Sequence, residues 1–169
     1  MKTHLNIRSL LIISLLFNLN LSSSATIGLS EIEKARRPAS LPWAIPFLMV
    51  FKNNKLNYVS KVYENSSDSK NKFVNAEMIT NWTGKNTFLK YRVSLNELKL
   101  LWPSAKNDIE RLIEAKQEYK IIYVGVWYEA LKQQSKFIKK RNVELQLFKD
   151  YEKQHDNVKI LNIDFDLNF

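Results

Sequence analysis

The sequence predicts an α+β domain, in which a mainly antiparallel sheet carries one or two helices packed on one face. Three observations support this class. The 169 residues, 45% of them hydrophobic, are enough for one domain with one core. Strand-like stretches come first, a helical part follows, and further strand-like stretches end the chain. There are no cysteines, so the core must hold the fold without disulfides.

Residues 1–25 have the layout of a secretory signal peptide. Lys2 and Arg8 precede an apolar run, and the small residues SSSA, ending at Ala25, offer a cleavage point. The run is short for a membrane span, which needs about 20 residues, although an uncleaved anchor stays an alternative. Because an exported protein without cysteine fits a bacterial periplasm, we expect a periplasmic, basic protein with a net charge of about +7 after cleavage, against +9 for the whole chain.

Residues 26–41 are predicted as a weakly ordered leader, so that the single α+β domain spans residues 42–169. Its first strand is predicted at Phe47–Phe51, because Pro46 opposes a helix or a central strand position. The sequence NNK then predicts a turn. A second strand begins at Leu56, where apolar and polar residues alternate, and it is the expected hairpin partner of the first.

The helical part of the sequence begins at Ser94, where SLNE fits a capping box. Pro103 stops or restarts this helix, and Ser104 is the expected cap of the next one. Upstream, residues 65–72 are predicted as a polar loop, and NWTGKN is typical of a turn. The second helix has one apolar stripe with a basic edge, formed by Ala105, Ile109, Leu112, Ile113 and Lys116.

The last third of the chain is predicted to contain three strands. Residues 119–131 are rich in β-branched and aromatic side chains on both faces, which indicates an interior strand. Residues 132–141 are predicted as a basic loop. The alternation in residues 142–150 and again in residues 158–169 predicts two strands, joined as a hairpin through the polar turn EKQHDN.

The end of the chain, from Leu161 to Phe169, also resembles the closing strand of an outer-membrane barrel. A small outer-membrane or membrane-associated protein is therefore an alternative. A barrel needs about eight strands of roughly ten residues, whereas we can place about five or six. We favour a half-buried strand of a soluble sheet, with a solvated face made of Asn162, Asp164, Asp166 and Asn168.

The sequence offers few groups for catalysis. His155 is the only histidine after the signal peptide, and we expect it to be solvated in its polar turn. Without cysteine or a second histidine, a zinc or copper site is not expected. Asp164 and Asp166 point to one side of a strand, about 7 Å apart, a spacing that suits acid–base work and equally a solvated face. We therefore expect no enzyme and no cofactor.

A basic stretch beside two aromatic residues is the best candidate for function. Basic side chains attract acidic polymers over a distance, and rings add flat apolar contact, although a solvated charge run explains the pattern as well. For an exported protein, peptidoglycan is the expected partner and anionic lipid head groups are another, whereas nucleic acid is not expected. The candidate ligand-binding residues are Trp127, Tyr128, Lys132, Lys136, Lys139, Lys140 and Arg141.

The stretch IERLIEAKQEYKIIYVGVWYEALKQ resembles the CsiV family of periplasmic proteins, in which a helix precedes a strand that ends in tryptophan and glutamine. AIPFLMVFKN resembles the first strand of that family, and VELQLF with VKILNIDFDL resembles its closing hairpin. The matching residues are Leu112, Tyr119, Ile121 to Val124, Trp127 and Gln133. The resemblance implies a protein without catalytic activity that binds peptidoglycan and supports cell-wall synthesis.

The function expected from the sequence is therefore non-catalytic binding of peptidoglycan in the periplasm, in support of the integrity of the cell envelope. A cell-wall synthesis protein is a further expected partner. A secreted effector or a component of a secretion machine is the remaining alternative, and it would bind a specific protein instead.

Overall fold

The structure, a computed structural model, describes residues 25–43, 45–61, 76–84, 93–126 and 135–166. Its strands are β1 (Thr26–Ile27), β2 (Phe47–Lys52), β3 (Lys55–Lys61), β4 (Tyr119–Val126) and β5 (Val158–Phe165). Its helices are α1 (Leu29–Arg36), α2 (Ala76–Gly84), α3 (Leu95–Leu101), α4 (Lys106–Glu114) and α5 (Ser135–Gln154), with a 3-10 turn at Pro103–Ala105. The predicted α+β class is confirmed.

The described strands form one mixed sheet in the order β1-β5-β4-β2-β3. Strand β2 is antiparallel to both of its neighbours, so the predicted hairpin of β2 and β3 is confirmed. Strand β5 is parallel to both β1 and β4. The predicted closing hairpin is therefore wrong, because the segment before β5 is a helix that returns the chain to the other end of the sheet.

The sheet is covered on both faces, whereas the sequence predicted helices on one face only. Helices α1, α3 and α4 pack on one side and form the first core; α2 and α5 pack on the other and form the second core. Strand β2 serves both, with Phe47, Met49 and Phe51 in the first core and Leu48 and Val50 in the second. This explains why its sequence is continuously apolar rather than alternating.

Strand β4 is central in the sheet, as the sequence predicted. In the hairpin of β2 and β3, a bulge changes which side of the sheet the side chains of β3 point to. Val50 pairs with Tyr58 and Phe51 pairs with Leu56, which leaves Asn57 as the extra residue. Leu56 therefore joins the first core and Tyr58 the second. The simple alternation expected for β3 is interrupted at this point.

From Ser135 onward, helix α5 replaces the predicted basic loop and the strand predicted from residue 142, whereas residues 132–134 lie outside the described part of the chain. Its buried residues Glu144, Phe148 and Tyr151 follow helical spacing. Because Glu144 is polar, the sequence does not show a helical pattern of apolar residues here. Tyr123 donates a hydrogen bond from its hydroxyl to Glu144 Oε2 at 3.1 Å, which satisfies this carboxylate. Val143, which began the apparent alternation, is exposed.

The predicted leader, residues 26–41, is an ordered part of the first core. It contains β1 and α1, and Ile27, Ile32 and Ala35 are buried. Glu31 connects this segment to the rest of the fold: its side chain accepts hydrogen bonds from the backbone N–H groups of Gly28, at 3.3 Å, and Ser104, at 2.9 Å. The prediction of weak order is therefore wrong for this stretch.

The capping box predicted at the start of α3 is confirmed. Ser94 Oγ accepts from the backbone N–H of Glu97 at 3.2 Å, and Glu97 Oε2 accepts from the N–H of Ser94 at 2.7 Å. Pro103 ends α3 and starts the 3-10 turn, as expected. Ser104 lies within that turn and does not cap α4, whose N-cap is Ala105.

In the predicted turn NWTGKN, residues 81–84 belong to α2, whose Ile79 and Trp82 are in the second core. The predicted polar loop at 65–72 and residues 1–24 of the predicted signal peptide lie outside the described residues, whereas Ala25 is described. None of the described helices is both long enough and apolar enough to cross a membrane.

Candidate functional site

The side of α5 that points away from the sheet is the best candidate for a binding surface. With 3.6 residues per turn, the buried Glu144, Phe148 and Tyr151 set the inward side. Five of the outward residues line a shallow surface depression. We call this surface the α5 outer face, and it consists of Lys136, Ile138, Lys139, Asn142, Val143 and Gln146.

The α5 outer face combines positive charge with exposed apolar groups. Lys136 and Lys139 are exposed, and Ile138 and Val143 beside them are 37% and 46% exposed. A single exposed apolar side chain is ordinary on a protein surface, whereas two apolar side chains near two lysines suit a ligand with both acidic and apolar parts.

The acids of α5 do not neutralise this charge. The described first turn of the helix contains no acid, although the helix dipole favours negative charge there. Glu144 is buried, Glu152 lies against β5, and Asp150 borders only the far end of the face, where it accepts from the Gln146 amide at 2.9 Å. Lys136 is therefore placed where a lysine does not favour the helix itself, which is consistent with a role in binding.

Side-chain contacts hold α5 against both the sheet and α2. Besides the bond from Tyr123 to Glu144, the hydroxyl of Tyr151 lies 3.0 Å from Thr80 Oγ1 in α2. Glu152 accepts from the backbone N–H of Ile160 at 2.5 Å, on the edge of β5 that β1 is too short to cover. These contacts fix the orientation of the helix and hence of its outer face.

The predicted ligand-binding residues fall into three groups. Lys136 and Lys139 lie on the α5 outer face, and Lys140 lies on its flank and is half-buried. Arg141 is on the opposite flank and is held by the protein, as described below. Trp127, Tyr128 and Lys132 lie outside the described residues.

Arg141 forms a two-pronged ion pair with Asp164 of β5. Its Nη2 lies 2.5 Å from Asp164 Oδ2, and its Nε lies 3.3 Å from Oδ1. The two side chains are 22% and 8% exposed. The predicted solvated position of Asp164 is therefore wrong, and we leave Arg141 out of the proposed contact set because its guanidinium already has a partner.

The other groups considered for chemistry are also accounted for. His155 is half-buried rather than solvated: its ring stacks on Tyr151 at 3.8 Å, and its Nδ1 lies 3.0 Å from the backbone oxygen of the same tyrosine. Asp164 is paired, so it does not form a free carboxylate pair with Asp166. Among the described residues, no group of three or more His, Cys, Asp or Glu side chains could hold a metal ion.

Trp43 is a second exposed feature, to which sequence reasoning assigned no role. It is 81% exposed, although tryptophan is usually a largely buried residue. The guanidinium carbon of Arg36 lies 3.7 Å from the centre of its ring. The available signal was its position next to Pro42 and before the first predicted strand, outside any helix or strand pattern.

The strand that follows Trp43 begins at the end of the sheet that the first turns of α5 approach. Phe47, four residues after Trp43, pairs with Val124 of β4, and the next β4 residue, Gly125, pairs with Asp164. Helix α5 reaches this end through the Arg141 ion pair with β5. Arg36, which supports Trp43, belongs to α1 on the side of the first core, whereas α5 lies on the side of the second core.

Comparison with known proteins gives no relative: no family model, no curated protein and no solved structure matches the chain. The resemblance to the CsiV family therefore stays a prediction from the sequence, and the function has to be inferred from the surface itself.

Proposed function

We propose that this is a non-catalytic periplasmic protein that binds an anionic polymer of the cell envelope, peptidoglycan first among them, through the α5 outer face. The observation that carries the proposal is the pair Lys136 and Lys139, exposed near Ile138 and Val143, with no acid within one helical turn of either lysine in α5. The layout of residues 1–25 as an export signal supports the location, and the CsiV resemblance implies the same function.

The chemistry of the face suits such a polymer. Each lysine ammonium attracts a carboxylate of a peptide stem, and the apolar side chains of Ile138 and Val143 near them can cover the apolar face of a sugar. A single exposed ion pair is worth at most about 1 kcal/mol, so one site binds weakly. A polymer presents many copies of the same groups, and repeated weak contacts then give retention through avidity.

The test is co-sedimentation of the mature protein with purified peptidoglycan sacculi. The informative variant is K136E/K139E, which reverses two charges on the α5 outer face. Because glutamate near a helix N-terminus is favoured by the dipole, this variant should fold at least as well as the parent. We expect its retention on sacculi to fall by about tenfold or more, given about 1 kcal/mol for each lost attraction.

A matched control is K149E/K153E, which makes the same change in net charge on the same helix. Lys149 and Lys153 are exposed and lie beyond the residues that line the depression, and Lys153 Nζ lies 3.6 Å from Asp150 Oδ1. We expect this control to bind sacculi within about threefold of the parent, since only long-range attraction changes. Equal losses in the two variants would mean that net charge alone governs retention, and full retention by K136E/K139E would show that the α5 outer face is not the binding surface.

A parallel arm uses vesicles with anionic head groups in place of sacculi. The proposal expects the parent to prefer sacculi at about 0.15 M salt, where attraction by charge alone is screened. A preference for vesicles would contradict the assignment to peptidoglycan. Release of the protein by osmotic shock is the expected result for the location, and retention in the membrane fraction would oppose it.

A further inference from the structure

Trp43 presents a flat aromatic surface whose position is fixed by its neighbours. Among the large apolar side chains that the structure describes, it is the most exposed, at 81%. Its support is Arg36, whose guanidinium lies against one side of the ring. That leaves the opposite side of the ring open to solvent.

Arg36 is itself held in place on two sides. Its Nη2 lies 2.5 Å from Glu33 Oε1, and its Nη1 donates to the backbone oxygen of Pro42 at 3.3 Å. The bond to Pro42 ties the guanidinium to the residue before Trp43, so the ring and its support move together. A ring with few remaining orientations loses little entropy when a ligand covers it.

We propose that Trp43 is a stacking site for one sugar ring, with the ring lying on the open side of the indole. An indole face attracts partly positive C–H groups and cations, because its quadrupole is negative above the plane. One face of a pyranose presents several such C–H groups in a nearly flat array. This inference rests on the proposed function, since it names the part of the same polymer that the lysines do not contact.

The surroundings of Trp43 argue against insertion into a membrane. Insertion would bury the ring on both sides and would remove water from the Arg36–Glu33 ion pair beneath it. The Glu33 side chain is 47% exposed, and dehydration of an ion pair is costly. A ligand that touches only the open side leaves this pair hydrated.

The position of Trp43 fits a polymer that is also held by α5. Trp43 precedes the strand that begins at the end of the sheet approached by the first turns of α5, and the helices beside the two features cover opposite faces. A chain that crosses this end can place acidic groups near the lysines and a sugar ring on Trp43. The two contacts then differ in kind: the first is electrostatic and is weakened by salt, and the second is not.

The decisive experiment compares W43L with the parent on three probes: sacculi, immobilised poly-glutamate, and a neutral β-linked oligomer of N-acetylhexosamine. Loss of one aromatic contact should weaken binding to sacculi and to the neutral oligomer by about three- to tenfold. Binding to poly-glutamate should not change, because that polymer has no sugar. W43F, which keeps a smaller ring, should lose less than W43L on the two sugar probes.

Two controls separate this inference from general damage and from the proposed function. L100A shortens another strongly exposed apolar side chain, 75% exposed on α3, and should bind all three probes as the parent does. Because Trp43 is so exposed, W43L should keep the thermal midpoint of the parent. K136E/K139E should bind both sacculi and poly-glutamate more weakly than the parent, while its binding to the neutral oligomer should not change.

The possible results decide the two proposals separately. If W43L binds sacculi and the neutral oligomer like the parent, Trp43 is not a sugar site. This holds even if K136E/K139E binds sacculi more weakly than the parent. If the parent does not bind sacculi, the proposed function fails, and the neutral oligomer alone then decides the role of Trp43. Equal loss of all three probes by W43L, or stacking of single-stranded nucleic acid in preference to the sugar oligomer, would overturn the inference.

Discussion

The two faces of the sheet are covered in different ways. In the first core, three short helices each contribute an apolar stripe, and the largest fully buried side chain is Trp102. In the second core, the smaller apolar cluster includes three tyrosines and lies beside the buried Glu144. The first core thus holds the fold through apolar packing, whereas the second holds a long helix partly through hydrogen bonds.

The difference matters for function because α5 has two parts. Its second half carries the buried Phe148 and Tyr151, while none of its described side chains before Glu144 is buried. In the first half, Arg141 forms an ion pair with Asp164 of the sheet, and the exposed side chains are those of Lys136, Ile138, Lys139, Asn142 and Val143. The exposed residues in the first half of α5 can therefore be replaced without loss of the fold, as a binding surface requires.

The comparison predicts its largest effect for large-to-small changes in the two cores. W102A should lower the free energy of unfolding by about 5 kcal/mol, because it leaves a large cavity and removes a hydrogen bond. That bond runs from Trp102 Nε1 to the backbone oxygen of Glu31 at 2.9 Å. F148A should cost about 3 kcal/mol, since Phe148 keeps a little exposure in a smaller cluster. Urea denaturation measures both. A larger loss for F148A would reverse the ranking of the cores.

The next largest effect concerns the ion pair at the first half of α5. R141M keeps the length of the side chain but leaves the buried carboxylate of Asp164 without its cation. Breaking a buried pair costs about 3–5 kcal/mol, and we expect about 2–3 kcal/mol here because Arg141 is partly exposed. The matched change K139M, on the exposed side of the same helix, should alter stability by less than about 0.5 kcal/mol.

The same variant sharpens the difference between structure and binding. At low temperature, where it is still folded, R141M should bind sacculi as well as the parent does, because Arg141 is not part of the proposed contact set. A double variant that also replaces Asp164 by Asn should lose less stability than the sum of the two single changes, since the buried charge is then gone. Additive losses would show that the pair does not act as a unit.

A smaller effect is expected at the ordered start of the chain. E31Q keeps the shape of the side chain but replaces one acceptor oxygen by a donor, while the N–H groups of Gly28 and Ser104 both need acceptors. We expect a loss of about 1–2 kcal/mol in the free energy of unfolding. E33Q, on the exposed side of α1, is the control and should cost less than about 0.5 kcal/mol. Equal losses would mean that the Glu31 contacts do not join α1 to the 3-10 turn.

The sequence was most informative where local chemistry decides the structure. The capping box at Ser94, the restart at Pro103 and the turn after β2 depend on neighbouring residues, and all are present. The apolar run from Phe47 to Phe51 predicted a strand because few other structures bury five successive side chains. Such signals do not depend on which other elements pack against them.

The sequence was least informative where distant residues satisfy a polar group. In α5, Glu144 occupies a buried position because the hydroxyl of Tyr123, in another element, donates to it. In β5, Asp164 is buried because Arg141 reaches it from α5. Neither partner can be identified from neighbours in the chain. The absence of proline and glycine between residues 135 and 154, with many good helix formers, was the available sign of a helix.

The candidate site shows the same division. The exposed lysines of the α5 outer face were found from composition alone, although the element that carries them was wrongly predicted. The role of Arg141 could not be separated from that of its neighbours, because its partner is distant in sequence. Trp43 was missed because exposure, rather than residue type, makes it unusual.

The smallest expected effect concerns a buried cation at the edge of the first core. Lys120 Nζ donates to Asn54 Oδ1 at 2.6 Å and to the backbone oxygen of Ile113 at 2.8 Å. Both partners are neutral, and burial lowers the pKa of Lys120 below its usual 10.5. The folded protein therefore gives up this proton at a lower pH than the unfolded chain does.

The sign of the resulting pH effect follows from proton binding. Between the lowered pKa and 10.5 the unfolded state binds more protons at Lys120, so the free energy of unfolding rises with pH; below that window the contribution is constant. Comparison of the parent with K120M in urea, at several values from about pH 7 to pH 10, cancels the groups that both share. As the pH rises, we expect the free energy of unfolding of the parent to increase relative to that of K120M by less than about 1 kcal/mol. A constant difference would mean that burial does not disfavour the charge of Lys120, and that the hydrogen bonds to the hairpin turn and to the end of α4 fully replace its water.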